Sequence, residues 1–417
     1  MYEEFGISEK VISVTKEVQK EIEPIFEKID EVSMKASSKV LKAFQDNKVS
    51  TTDFIEITGY GYYDGGREKL EKIYSQIFKT EDALVRPQIM SGTHALSIAL
   101  FGVLKYGDTM ISISGEPYDT LKSVIGLTGD SQNSLIKHGI KYEQIELIDN
   151  DFDYEKIRNR VKQGGIKLIE IQRSRGYSQR KSLSISKIEK VIKTIKEINK
   201  DIIVMCDNCY GEFVEEKEPT EVGADIAISS LMKNLGAGIA TSGGYVVGRK
   251  DLITQIAETL TTPCIGKDLG ANFNQLLPYY KGLFMAPGVV ASALKSMVFA
   301  SRMLEKFGFQ NISPKYDEER TDIIQTVDLN TEENLIKFCQ GVQIGSPIES
   351  YVKPVPDEMP GYPHKEIMAG GTFTPGATIE LSCDGPLIPP YTAYMQGGLT
   401  YEYGKLGTMI AINNMIK

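Results

Sequence analysis

The chain has 417 residues, more than one hydrophobic core usually supports, so two to three domains are expected. Its content of 41% hydrophobic and 25% charged residues is that of an ordinary globular protein. A formal net charge of −9, with no clustered run of Lys or Arg, excludes a duplex-binding surface, and no nucleic-acid partner is expected.

From the N-terminus, the residues MYEEFGISEK contain neither a basic nor an apolar leader segment, and no later window is expected to reach the roughly 18 apolar residues of a membrane span. A cytoplasmic protein with no membrane partner is therefore expected. Val11, Val14, Val18, Ile22, Ile25, Ile29 and Val32 then recur three or four apart, which predicts an amphipathic helix with Pro24 as a kink. Short apolar runs follow at 83–85, 110–113, 145–148, 168–171, 202–206 and 226–228, alternating with helical stretches. In the clearest of these, SKIEKVIKTIKEINK, one face is formed by Ile188, Val191, Ile192, Ile195 and Ile198. Alternating strands and helices predict an α/β fold, a mostly parallel sheet covered on both sides. Past about 285 the pattern loosens into helix, short strands and Pro/Gly-rich links. The expected division is a helical segment at 1–49 packing on the small domain or on a dimer partner, a large domain at 50–285 and a small α+β domain at 286–417. Five scattered cysteines, Cys206, Cys209, Cys264, Cys339 and Cys383, fit a reducing compartment better than a disulfide framework.

Ligands of a parallel sheet sit beyond the carboxyl ends of its strands, so polar residues just after apolar runs are informative. In MSGTHALSIAL, Ser91, Gly92 and Thr93 open a predicted helix whose free N–H groups form an anion site; the same residues also fit an ordinary N-cap. In DIIVMCDNCYGEF, Asp207 ends a strand and Tyr210 follows; Asp207 also fits a turn. Cys206 and Cys209 have metal-pair spacing. One pair in a chain with three histidines cannot fill a tetrahedral site, so no metal is expected, and Cys206 should face away from Asp207 into packing. In SSLMKNLGAGIATSGGY, Lys233 follows Ser229 and Ser230, whose hydroxyls suit an anion, and precedes glycines that leave a cofactor room. An amine, a strand-end carboxylate and a helix-start anion site together match the needs of pyridoxal 5′-phosphate. The lysine forms a Schiff base, the carboxylate keeps the ring nitrogen protonated, and the helix start takes the phosphate.

In this order, Ser91 to Thr93, Asp207 with Tyr210, and Ser230 with Lys233 resemble the motifs of fold type I pyridoxal-phosphate enzymes, the aspartate aminotransferase superfamily. The flanking text GYGYYDGGREKLE, IQRSRGYSQRKSL and IELSCDGPLIPPYTAYMQGG resembles the methionine γ-lyase-like group often labelled aluminium resistance proteins, related to cystathionine γ-synthase and β-lyase. The resemblance covers nearly the whole chain. It implies an enzyme, a lyase acting on sulfur-containing or other β/γ-substituted amino acids. It further implies that Lys233 anchors the cofactor and moves substrate protons, with Asp207 on the pyridinium and Tyr210 on the phenolic oxygen. Ser91, Gly92, Thr93 and Ser230 would hold the phosphate and Tyr118 would stack on the ring. Tyr60, Tyr62 and Arg67 would reach the phosphate of a neighbouring subunit in a homodimer or homotetramer. Where the relatives carry an arginine for the substrate carboxylate this chain has Glu380, so Arg173, Arg175 or Arg180 is the expected substitute. γ-Replacement, transamination or a regulatory cofactor-binding role share these residues. The S-x-x-K of penicillin-binding proteins also matches Ser230 and Lys233 but lacks its companion S-D-N and K-T-G tripeptides, and no complete G-x-G-x-x-G occurs.

Overall fold

The computed structural model describes residues 2–60, 63–359 and 364–417, which form two compact units: Ser37–Phe284, and the residues up to Ala36 together with Met285–Lys417. The first unit is built on seven strands, β1 (Asp82–Arg86), β2 (Thr109–Ser112), β3 (Lys141–Gln144), β4 (Leu168–Gln172), β5 (Ile203–Asp207), β6 (Ile226–Ser230) and β7 (Gly244–Gly248), in the order β1-β7-β6-β5-β4-β2-β3. The five strands β2 to β6 are parallel, and β7 runs antiparallel to both β6 and β1. Strand residues alternate between two cores. Leu168, Met205, Ile226 and Ile228 pack under helices Gly92–Val103 and Lys250–Leu260, whereas Ile169, Val204 and Cys206 pack under Tyr154–Lys162 and Ile185–Ile198. The predicted face of Ile188, Val191, Ile192 and Ile195 is buried.

Two strands differ from expectation. The run at 145–148 is not a strand; β3 lies earlier, at half-exposed residues on the sheet edge, where burial leaves no apolar signature. Gly244, one of the glycines expected to leave a cofactor room, instead opens strand β7. This glycine is required by packing, since a Cβ there would stand 2.6 Å from the Ile89 side chain.

The second unit carries an antiparallel sheet of β8 (Ile312–Ser313), β9 (Ile324–Asp328), β10 (Asp357–Glu358), β11 (Lys365–Ala369), β12 (Ser382–Pro386) and β13 (Thr392–Gln396), ordered β10-β11-β12-β13-β9-β8. The N-terminal helix Glu9–Asp46 continues through Pro24 and contributes Val11, Val18 and Ile22 to a core shared with Met297, Phe299, Phe338 and Met395. Helix Leu276–Lys306 corrects the expectation about membrane-length stretches: it is long and apolar enough to span one. Its apolar window is 72% buried within the fold, which commits those side chains to protein contacts.

Candidate active site

Strand β6 ends at Ser230 and the chain enters a tight 3-10 turn at Asn234–Gly236, with Lys233 between them. The Lys233 Nζ lies 3.9 Å from the centroid of the Tyr210 ring. Tyr210 holds a left-handed backbone (φ 69°), unfavourable for a bulky residue and sustained only where the surroundings fix it. The turn that carries Tyr210 starts at Asp207, the last residue of β5, whose Oδ1 accepts the Cys209 N–H at 3.0 Å. Burial pulls the Lys233 amine down; the Cys209 thiol, the Tyr210 phenol and the Asp207 carboxylate around it push it up, and the net proton affinity is raised. Burial pushes the Cys209 thiol up to about 12.

Ser91 caps the helix Gly92–Val103, its Oγ accepting the His94 N–H at 3.1 Å, which leaves the first-turn amides of Gly92 and Thr93 without an intrahelical partner. A Cβ on Gly92 would lie 3.5 Å from the Cys209 Sγ and 3.6 Å from the Ser230 Cβ, so the helix start adjoins both the β5 and β6 ends. The Ser230 Oγ accepts the Met232 N–H at 3.1 Å. The Thr93 hydroxyl meets that of Thr120 at 2.6 Å, tying the helix start to the helix Asp119–Ile125 that Tyr118 precedes. Tyr118 stacks on Tyr177 (6.2 Å, 28°). Both rings line a pocket of about 370 Å³ with Gln172, Arg175, Ser178 and Arg180.

Other expected residues lie elsewhere. Arg173 is fully buried and its guanidinium is committed to Asn208 Oδ1 (2.7 Å), Gly211 O (2.8 Å) and Glu215 Oε2 (2.7 Å), so it braces the loop after β5 and is not presented to a ligand. Arg180 donates to the carbonyls of Gln172 (2.8 Å) and Ser174 (2.6 Å), securing the end of β4. Arg67 is 3% exposed and donates to the Gly270 carbonyl at 2.8 Å. Tyr60 is 82% exposed, and Tyr62 lies outside the described residues. Ser229 points to the face opposite Ser230, where its hydroxyl donates to the Cys209 Sγ at 3.4 Å. Gly236 gives no clearance to a ligand: a Cβ there would stand 1.6 Å from the Leu231 carbonyl oxygen. Glu380 accepts the N–H groups of Phe373 (2.9 Å) and Thr374 (3.1 Å), so its carboxylate shapes that loop.

Two acids escaped the sequence reading. Glu212, fully buried, accepts the Tyr245 hydroxyl at 3.1 Å, and burial pushes its carboxyl up to about 7. Glu170, in the middle of β4, is also fully buried and is pushed up to about 7. Each sits in or near a short apolar or turn segment, where one acidic letter reads as a solvated position.

The donor set fits pyridoxal phosphate: an amine for the aldehyde, a strand-end carboxylate for the ring nitrogen, and helix-start amides beside a serine hydroxyl for the phosphate.

A family model described as methionine gamma-lyase matches residues 11–416. YnbB of Bacillus subtilis, an uncharacterised protein, is 46% identical over 419 residues, covering 100% of this chain and 99% of its own. Among solved structures, a candidate cystathionine beta-lyase involved in aluminium resistance from Clostridium acetobutylicum is 46% identical with a TM-score of 0.96, covering 100% of this chain and 98% of its own. The pyridoxal-5′-phosphate-dependent protein YhfS from Escherichia coli is 16% identical with a TM-score of 0.62, covering 91% and 95%. The fold is the α/β architecture of fold type I.

Proposed function

The chain belongs to the methionine gamma-lyase family, and from that premise we propose that it is a pyridoxal-phosphate-dependent carbon–sulfur lyase acting on β- or γ-substituted amino acids. The observation that carries the reading is the Lys233 amine, held 3.9 Å over the Tyr210 ring within the electrostatic reach of Asp207. When bound, the cofactor supplies an electron sink for negative charge at the substrate α-carbon. Lys233 is its attachment point and, once released, takes the α-proton on Nζ and returns a proton to the β- or γ-side of the substrate. Asp207 keeps a proton on the ring nitrogen, and the amides of Gly92 and Thr93 with the Ser230 hydroxyl hold the phosphate. Ser91 orients those amides through its cap.

With Arg173 committed to the interior, Arg175 on the wall of the Tyr118 pocket is the residue assigned to the substrate carboxylate, by a bidentate guanidinium contact. Exposed Tyr60 is assigned to the phosphate site of a neighbouring subunit in a homodimer or homotetramer.

Incubation with pyridoxal phosphate, borohydride reduction and peptide mass analysis should fix the cofactor on Lys233. A colourless protein with no added mass there overturns the assignment. A panel of amino acids read by mass spectrometry should give ammonia with a keto acid and a thiol; exchange of amino groups alone would replace lyase with aminotransferase.

A further inference from the structure

We infer that Glu170 acts through Asp207: it is a second carboxyl, sealed inside the sheet, whose single charge tunes how firmly Asp207 holds the proton on the ring nitrogen. This rests on the cofactor reading above. In the register of the sheet Glu170 pairs with Ser112 on β2 and with Met205 on β5, and Asp207 is two residues further along β5, opposite Gln172. Residues two apart on a strand share a face, so Glu170 and Gln172 project to the same side as Met205 and Asp207. Gln172 lines the Tyr118 pocket, which places Glu170 beneath the pocket floor.

Neither Glu170 oxygen has a hydrogen-bond partner among the described residues. The Ser112 hydroxyl, on the neighbouring strand, donates to the Gly115 carbonyl at 2.8 Å. A carboxylate without donors or a contacting cation in a strand interior is strongly disfavoured, whereas the neutral acid is tolerated. The groups that act on it are consistent with this. Burial raises its proton affinity, Ser112 lowers it, the Asp207 carboxylate raises it and Arg180 lowers it. Tyr142 on β3 and Cys206, on the other face of β5, also feel its charge. The helices over this face contribute Leu96, Ala99, Leu121 and Ile125, all apolar. Glu170 is thus neutral on the acid side of neutrality and a bare anion on the alkaline side. As an anion on the face that Asp207 shares, it adds a like charge that favours keeping the proton which Asp207 holds on the ring nitrogen.

The test uses wild type, Glu170→Gln and Glu212→Gln loaded with ring-nitrogen-labelled pyridoxal phosphate, with the nitrogen-15 chemical shift followed from pH 5.5 to 9. Wild type should show an inflection near 7 that Glu170→Gln lacks and Glu212→Gln keeps, because Glu212 lies with Tyr245 under the opposite face. Superimposable wild-type and Glu170→Gln profiles overturn the inference, as does loss of the inflection in Glu212→Gln. Visible colour and borohydride-fixed mass on Lys233 are recorded first in wild type. Their absence overturns the cofactor reading itself, a result distinct from a loaded protein with unchanged profiles. Should Glu170→Gln not fold, the infrared carbonyl stretch of a protonated carboxylic acid in Glu212→Gln, which leaves Glu170 as the carboxyl pushed up to about 7, decides: it must be present at pH 5.5 and fade through 7, and its absence at pH 5.5 overturns the inference.

Discussion

A carboxyl group inside a sheet binds its proton more tightly than the same group in the unfolded chain, and this ties stability to pH. Glu170 and Glu212 are both pushed up to about 7 by burial. Their contribution is complete below the unfolded carboxylate range near 4.3 and is lost as pH climbs through 7, because the native state then holds protons the unfolded state has released. Wild type should therefore melt at a lower temperature at pH 8 than at pH 5.5. Glu170→Gln or Glu212→Gln should recover stability at pH 8, by up to about 3 kcal/mol each, and by roughly half as much at pH 5.5. A flat melting profile in wild type would remove the basis for both. Arg173 gives the opposite case. Replacing it with Met strands Glu215 and Glu218 in the interior, a loss of about 3–5 kcal/mol at pH 7 in urea unfolding that shrinks at pH 5 as the acids take up protons. Asp207, Lys233 and the Ser91 to Thr93 helix start were legible because strand-end polarity is a local signal. The fate of Arg173 was not, because IQRSRGYSQR looks the same whether its arginines face a pocket or brace the backbone.

Among the elements, the segment from β6 to β7 shows how glycine can mislead. A Gly-rich stretch beside a candidate catalytic lysine reads as space for a ligand, yet Gly236 is packed against Leu231, and Gly244 against Ile89 in a strand. Strand β7 was missed because glycines at both of its ends mask the short apolar run between them, while the parallel strands β2, β5 and β6, whose centres are apolar, were read correctly. Gly236→Ala would drive a Cβ into a backbone oxygen next to Lys233. It is expected to lower the melting temperature markedly and to reduce borohydride-fixed cofactor even where protein remains folded. Unchanged fixation in folded Gly236→Ala would show that the turn does not position the amine. At the helix Gly92–Val103, Ser91→Ala removes the cap bond to His94. The expected cost is about 1 kcal/mol of stability, together with weaker cofactor affinity in a titration.

For the whole molecule, the residues assigned to the cofactor all come from the unit Ser37–Phe284. The remaining assignment, exposed Tyr60, calls for a second copy. Size-exclusion chromatography of the loaded protein should show a dimer or tetramer, and Tyr60→Ala should raise the dissociation constant for pyridoxal phosphate without unfolding the protein; a loaded monomer with full affinity sinks the shared site. The raised proton affinity of Lys233 has a consequence for how each molecule comes to work at all. Only a neutral amine attacks an aldehyde, and the neutral fraction falls tenfold with each pH unit below the amine's pKa. Fresh protein mixed with pyridoxal phosphate should therefore gain its yellow absorbance faster as the pH is raised from 6 to 9; a rate independent of pH would show that protonation of the amine does not limit attachment.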